Sequence, residues 1–254
     1  MTTALVTGGT AGIGLAFARR LAAQGHDLVL VARDEARLAE VAADLRERHH
    51  VEVELLVADL SVREELQRVA DRVGDPAQAV DLLVNNAGFG LGRRFVEGEL
   101  ADEERMFDVL CRAVLVLSHS AAQAMIARGR GAIVNVSSVA GFTAGGTYAA
   151  AKSWATTFTE GLACELAGTG VTATALLPGY VRTEMHQRAG MSMRRLPQQA
   201  WLDADQLVEA ALADVRRGRV LSVPTKRYKV AAVLASTAPR SVVRAITGSR
   251  PRRR

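Results

Sequence analysis

The chain is poor in several residue types, and each shortage narrows what it can be. It has only two cysteines, Cys111 and Cys164, far apart in the 254 residues and without ligand-like spacing. That excludes a disulfide-stapled scaffold and a cysteine zinc site. The five histidines form no HExxH or comparable pair, so no metal is expected. No apolar run reaches the roughly 20 residues that span a bilayer. No basic segment followed by an apolar one opens the chain, so a soluble, cytoplasmic protein is expected. Aromatic residues are 4% of the chain and hydrophobic residues 49%, so the core must be built from Ala, Val and Leu. Acidic residues stop at Asp214, and twelve Lys or Arg follow it. The first 214 residues carry 20 basic and 27 acidic side chains, a net charge of −7. The overall charge of +5 therefore belongs to the tail, and an acidic body argues against nucleic-acid binding.

Tyrosine and lysine are also scarce: there are three tyrosines, and three lysines among 32 Lys and Arg. Yet Tyr148 and Lys152 stand four residues apart at the start of a helical pattern, on one helix face. A phenol ordinarily holds its proton to pH about 10. A nearby ammonium favours the phenolate and is expected to make the phenol a better proton donor. Ser138 ends the preceding apolar strand, 132–136, where its hydroxyl can hold an oxygen beside the tyrosine. These are the parts of a proton-transfer site.

Read in order, the chain alternates strand and helix. A strand at 3–6 runs into TGGTAGIG, Thr7 to Gly14, and then a helix that stops at Gly25. Glycines let backbone turn tightly against a phosphate, and the helix N-terminus presents unpaired N–H groups. The second strand, 27–32, ends in Ala32 and Arg33 instead of an acid. An acid there would hold an adenosine ribose; arginine suits a 2′-phosphate, so NADP(H) is preferred and NAD(H) remains open. Further strands are expected at 51–57, 80–84 and 171–177, with a long helix at 101–127. Asn85, Asn86, Ala87 and Gly88 close the fourth strand, with room for an adenine ring and amides able to pin neighbouring strands. Alternation of this kind predicts an α/β fold, a doubly wound and mostly parallel sheet with helices on both faces. The glycine loop, Arg33, Asp59, Asn86, Ser138 and Pro178–Gly179 would all fall at the carboxyl ends of strands, where such sheets bind ligands.

These motifs together resemble the short-chain dehydrogenase/reductase family over roughly residues 2–225. The matching stretches are TGGTAGIG at 7–14, Asp59–Leu60, NNAG at 85–88, Ser138, YAAAK at 148–152 and PGYVRT at 178–183. The resemblance implies a Rossmann-fold oxidoreductase that uses NAD(P) on a small-molecule ketone or alcohol. It implies Tyr148 as acid/base, Ser138 as the hydroxyl holding the substrate oxygen, and Lys152 on the nicotinamide ribose. Cofactor contacts are implied for Gly8, Thr10, Gly12, Ile13, Gly14, Asp59, Leu60, Asn86, Ala87, Gly88, Pro178, Gly179, Val181 and Thr183. A single domain, 1–225, would carry a substrate lid near 184–202, and a homo-oligomer, dimer or tetramer, is expected.

Two departures from the family pattern stand out. Relatives usually carry an asparagine in the long helix, as part of a proton relay with the lysine; here Leu110 falls at that position. The alternative function that this suggests is an NADP-binding regulatory protein with weak or no turnover. Ser138 and Tyr148 are also ten residues apart where thirteen is common, so the loop 139–147 should be short. The tail, 226–254, mixes cations with Val230, Val233, Leu234, Val242, Val243 and Ile246. Its composition permits contact with an anionic membrane surface, but packing of 226–246 on the acidic body is the expectation.

Overall fold

The computed structural model describes residues 2–181 and 201–247. Seven strands form one parallel sheet in the order β3-β2-β1-β4-β5-β6-β7. They are β1 (Thr3–Thr7), β2 (Asp27–Ala32), β3 (Val53–Val57), β4 (Leu82–Asn85), β5 (Gly131–Val136), β6 (Val171–Leu176) and β7 (Leu221–Ser222). Helices α1 (Gly12–Ala22), α2 (Glu35–His49) and α7 (Ala204–Arg216) cover one face. Helices α3 (Arg63–Gly74) and α5 (Ala113–Arg128) cover the other, where α6 (Gly146–Glu165) also packs on β6.

Both faces are buried, which explains why the strands read as unbroken apolar runs. In β1, Ala4 and Val6 point into the layer with Phe17, Leu21 and Leu38, while Leu5 points into the layer with Val69, Leu117 and Met125. The sheet order reverses between β1 and β4, so the loops after these strands diverge and leave a crevice at their carboxyl ends. That is the switch point of a doubly wound sheet. At its centre β4 and β5 are joined by side chains as well as backbone. Asn85 lies opposite Asn135, and its amide donates to Asn135 Oδ1 at 2.9 Å and to Ser118 Oγ at 3.2 Å. Asn135 in turn donates to Thr159 Oγ1 at 3.0 Å.

Three features differ from expectation or extend it. The helix expected at 101–127 is divided into α4 (Leu100–Phe107), a π-helical turn at Asp108–Arg112, and α5. Leu110 lies in this turn, 1% exposed, and packs with Met106, Cys111 and Ala151. A seventh strand, β7, escaped the sequence reading because it is two residues long; it pairs Leu221 and Ser222 with Ala175 and Leu176. The tail forms two helices, α8 (Lys226–Thr237) and α9 (Arg240–Thr247), divided at Pro239. Thr225 caps α8 by accepting from the Tyr228 N–H at 3.4 Å.

Candidate active site

The glycine loop follows from where β1 ends. The Thr7 hydroxyl, buried there, donates to the Val84 carbonyl at 3.3 Å. It accepts from the N–H groups of Asn86 and Ala87 at 2.9 and 3.0 Å. The Asn86 side chain donates to the carbonyls of Thr7 and Gly8 at 2.9 and 3.3 Å. The 85–88 segment thus fixes the loop from beneath, and Asn86 acts on backbone from its expected position. Gly8 and Gly12 have φ of +67° and +53°, which glycine alone adopts without strain. A Cβ on Gly14 would lie 2.1 Å from the Gly8 carbonyl oxygen, so loop and helix meet as only glycine permits. Thr10 is half-buried in the loop, and Ile13 packs onto the core beneath it. Helix α1 starts with no side-chain cap and no acid in its first turn, leaving its amide N–H groups available to an anion.

Beyond the loop, Arg33 follows β2 and is well exposed, with Nη1 3.6 Å from Asp59 Oδ2. Asp59 also accepts from Arg105 at 2.7 Å, and from the Ser61 N–H and hydroxyl at 3.0 and 2.7 Å. Burial would raise its pKa, but the Ser61 bonds and Arg105 outweigh that and hold the carboxyl at about 2. Asp59 is therefore ionised, and it keeps Arg33 at the strand edge while sharing its charge with Arg105. Leu60, 5% exposed, closes the core below.

The reacting side is built from β5 and α6. Ser137 is structural: its hydroxyl donates to the Lys152 carbonyl at 2.6 Å and pairs with Thr156 Oγ1 at 2.7 Å. Ser138 caps a 3-10 turn, Val139–Phe142, by accepting from the Ala140 N–H at 3.1 Å. The loop then lies so close to α6 that a Cβ on Gly141 would meet Ser153 N at 2.9 Å. Thr147 donates to the buried Glu103 at 2.6 Å, tying the first turn of α6 to α4. Tyr148 and Lys152 share the helix face, and the Ser138 side chain lies near enough to the phenol to draw its pKa down. Lys152, 6% exposed, places Nζ 5.9 Å from the centre of the Tyr148 ring.

The electrostatics differ from the expectation of an ammonium-activated phenol. Burial pushes the Tyr148 pKa up to about 12, partly offset by Ser138. Burial also lowers Lys152 to about 8, and its Nζ donates to the Val136 carbonyl at 2.6 Å. Burial is thus the largest influence on both groups. Leu110 contributes to this dryness. A Cβ on Gly88 would lie 2.7 Å from Leu110 Cδ2 and 3.8 Å from Lys152 Nζ, so all three share one wall. Cys111, beside them, is raised to about 11 by burial, with Lys152 pulling the other way.

The third side is the turn after β6. The Pro178 carbonyl accepts from the Val139 N–H at 3.1 Å, and Val181 is buried and bridges to Leu202. Gly179 lies under the ring of Tyr228, a residue the sequence reading did not single out. Thr183, and the expected lid apart from 201–202, lie outside the described residues. Arg105 and Glu103 were also missed: their partners are distant in sequence, and no local motif marks them.

The site defines a class: a switch-point nucleotide crevice beside a Ser–Tyr–Lys group whose lysine is buried and whose serine and tyrosine are half-buried. The short chain dehydrogenase family model matches residues 2–193, and the chain belongs to that family. It is an NAD(P)-dependent oxidoreductase of alcohol and carbonyl groups. A short-chain dehydrogenase from Sphingobium yanoikuyae in complex with NADPH is 34% identical, with a TM-score of 0.86 over 100% of this chain and 98% of that one. A bulky-bulky ketone specific alcohol dehydrogenase from Comamonas testosteroni is 30% identical, with a TM-score of 0.80 over 95% and 96% of the two chains. Sulfoacetaldehyde reductase 2 from Chromohalobacter salexigens is 38% identical over 71% of this chain and 73% of its own length. The glycine cradle at Gly8 and Gly14 and the uncapped start of α1 fit a dinucleotide.

Proposed function

We propose that the chain is an NADP(H)-preferring carbonyl reductase or alcohol dehydrogenase acting on a small-molecule ketone or its alcohol. The observation that carries this reading is the meeting of Ser138, Tyr148 and Lys152 beside Gly88, at the strand ends that hold the glycine loop. When bound, the nicotinamide supplies or accepts the hydride. Ser138 Oγ holds the substrate oxygen, and Tyr148 Oη gives its proton to the alkoxide that develops there. A phenol at about 12 is protonated throughout the neutral range, so it is loaded for reduction. Lys152 steadies the phenolate that results. Arg33 supplies the preference, as a strand-end cation with no acid at Ala32. The relatives' names point to carbonyl substrates, sulfoacetaldehyde in one and bulky-bulky ketones in another.

We place the protein in the cytoplasm as a homo-oligomer. The stacked Trp154–Phe158 pair on α6, at 5.0 Å, with the exposed Phe107 and Leu115, supplies apolar surface for a second copy. The competing reading, a nucleotide-binding regulator, draws on Leu110 at the relay position. Tyr148→Phe decides between them: turnover should fall at least ~100-fold, the range of general acid catalysis, with NADPH binding unchanged. Wild-type-like turnover in this variant would sink the assignment. Tight NADPH binding with no turnover by the wild type on a broad carbonyl panel would favour the regulator.

A further inference from the structure

Two segments flank the reacting side of the site, the 138–148 loop and the turn at 178–181, and the tail holds both. Tyr228, in the first turn of α8, lays its ring over Gly179, where a Cβ would come within 2.1–2.4 Å of three ring carbons. Its hydroxyl accepts from the Tyr180 N–H at 3.1 Å. On the other segment, Arg240 donates to the Phe142 carbonyl at 3.3 Å, and Thr247 Oγ1 accepts from the Ala144 N–H at 3.0 Å. The Val139 N–H bond to Pro178 links the two segments directly. The contacts make a closed ring: α8 to the turn, the turn to the loop, the loop to α9.

We infer that the C-terminal helix pair braces the active site, with Tyr228 as a positioning residue for the 178–181 turn, whose residues are the expected cofactor contacts. The inference rests on the proposed reaction for its functional half and on geometry alone for its structural half. The ring sets how far the turn can rise, because only a glycine at 179 fits beneath it. The hydroxyl holds the next peptide, so the turn is fixed before any ligand arrives. Ordering a turn in advance removes that entropic cost from binding. The 138–148 loop is shorter than the family's usual length, and α9 bonds to it at Phe142 and Ala144. The basic tail thus has a task inside the site.

The test uses the full chain and has two independent readouts. Amide hydrogen exchange, on protein without cofactor, compares wild type with Tyr228→Phe and Tyr228→Ala. Peptides covering 139–144 and 178–181 should lose protection in Tyr228→Ala while core peptides of β1 and β4 do not. Unchanged exchange in both segments would overturn the brace, whatever the enzyme does. NADPH fluorescence titration then measures the functional half. Tyr228→Phe keeps the ring and should weaken binding about fivefold, the size of one neutral hydrogen bond; Tyr228→Ala should weaken it further. Gly179→Ala should be harmful in wild type and much less so in the Tyr228→Ala background, where the ring no longer blocks the methyl. Strict additivity of that pair would overturn the positioning role. If wild type bound no NADPH, the functional reading would fail, and the exchange data would still judge the brace.

Discussion

The cofactor's glycine-loop side and the reacting side of this site are held by different means. The cofactor side is fixed within the sheet: Thr7 and Asn86 tie the glycine loop to β4 over the shortest route between neighbouring strands. The reacting side, where the 178–181 turn and the 138–148 loop meet, is fixed from outside it, by residues such as Tyr228 and Thr247 that arrive from the end of the chain. A part held by adjacent strands forms when the sheet forms. A part held by a distant helix pair depends on the docking of that pair. The contrast suggests that the grip of the glycine loop is the fixed property of this protein and the setting of the reacting side the adjustable one.

The largest effect that would sharpen this contrast belongs to the cofactor side. Arg33→Ala should weaken NADPH binding roughly 10–100-fold, the value of a charge-assisted hydrogen bond, and leave NADH nearly untouched. Titration with both cofactors checks it, and equal losses would remove Arg33 from the account of preference.

The pH dependence probes the reacting side. Lys152 titrates near 8 in the folded protein and near 10.5 when unfolded. Below about pH 8 both states hold the proton, and the cost of the buried charge is fully present. Between 8 and 10.5 the folded protein has shed the proton and the unfolded chain has not, so that cost is relieved as pH rises. Denaturant melts of wild type and Lys152→Met should therefore diverge in the wild type's favour from pH 7 to 9.5. A constant difference would mean that the lysine is not desolvated. In the same window the rate of carbonyl reduction should decline, as the charge that steadies the phenolate is lost.

The smallest effect concerns Leu110. Leu110→Asn should alter turnover by less than about threefold, because Lys152 Nζ already has the Val136 carbonyl as a partner. It should instead cost about 1–3 kcal/mol of stability, since an amide would enter an apolar cluster. Steady-state rates and melts on one preparation separate the two. A large loss of turnover with an unchanged melt would give the leucine a role in the reaction itself.

Much of the architecture was legible because its signals are local. The glycine loop, the Tyr148–Lys152 spacing and the alternation of strands and helices each lie within a few residues. What escaped was set by tertiary context. The π turn at 108–112 is a slip of backbone hydrogen bonding that leaves the apolar pattern almost unchanged. The rise of the phenol pKa comes from burial by neighbours that spacing does not display. Tyr228 lies 80 positions from Tyr148, and no local spacing ties it to the 178–181 turn.

The paired asparagines beneath the site have a consequence for assembly. With Asn85 opposite Asn135, the NH2 groups of both meet partners in the interior, although Asn85 Oδ1 has none. Sliding β4 by one residue would send Asn85 to the other side of the sheet and leave Asn135 without it. An unmatched amide in that interior would cost about 1–3 kcal/mol, against an apolar pairing that has little preference of its own. Strands made almost wholly of Val, Leu and Ala could otherwise settle in several alignments. The asparagines act as an alignment key between β4 and β5, so the strand ends on which the crevice depends reach the same level each time the chain folds.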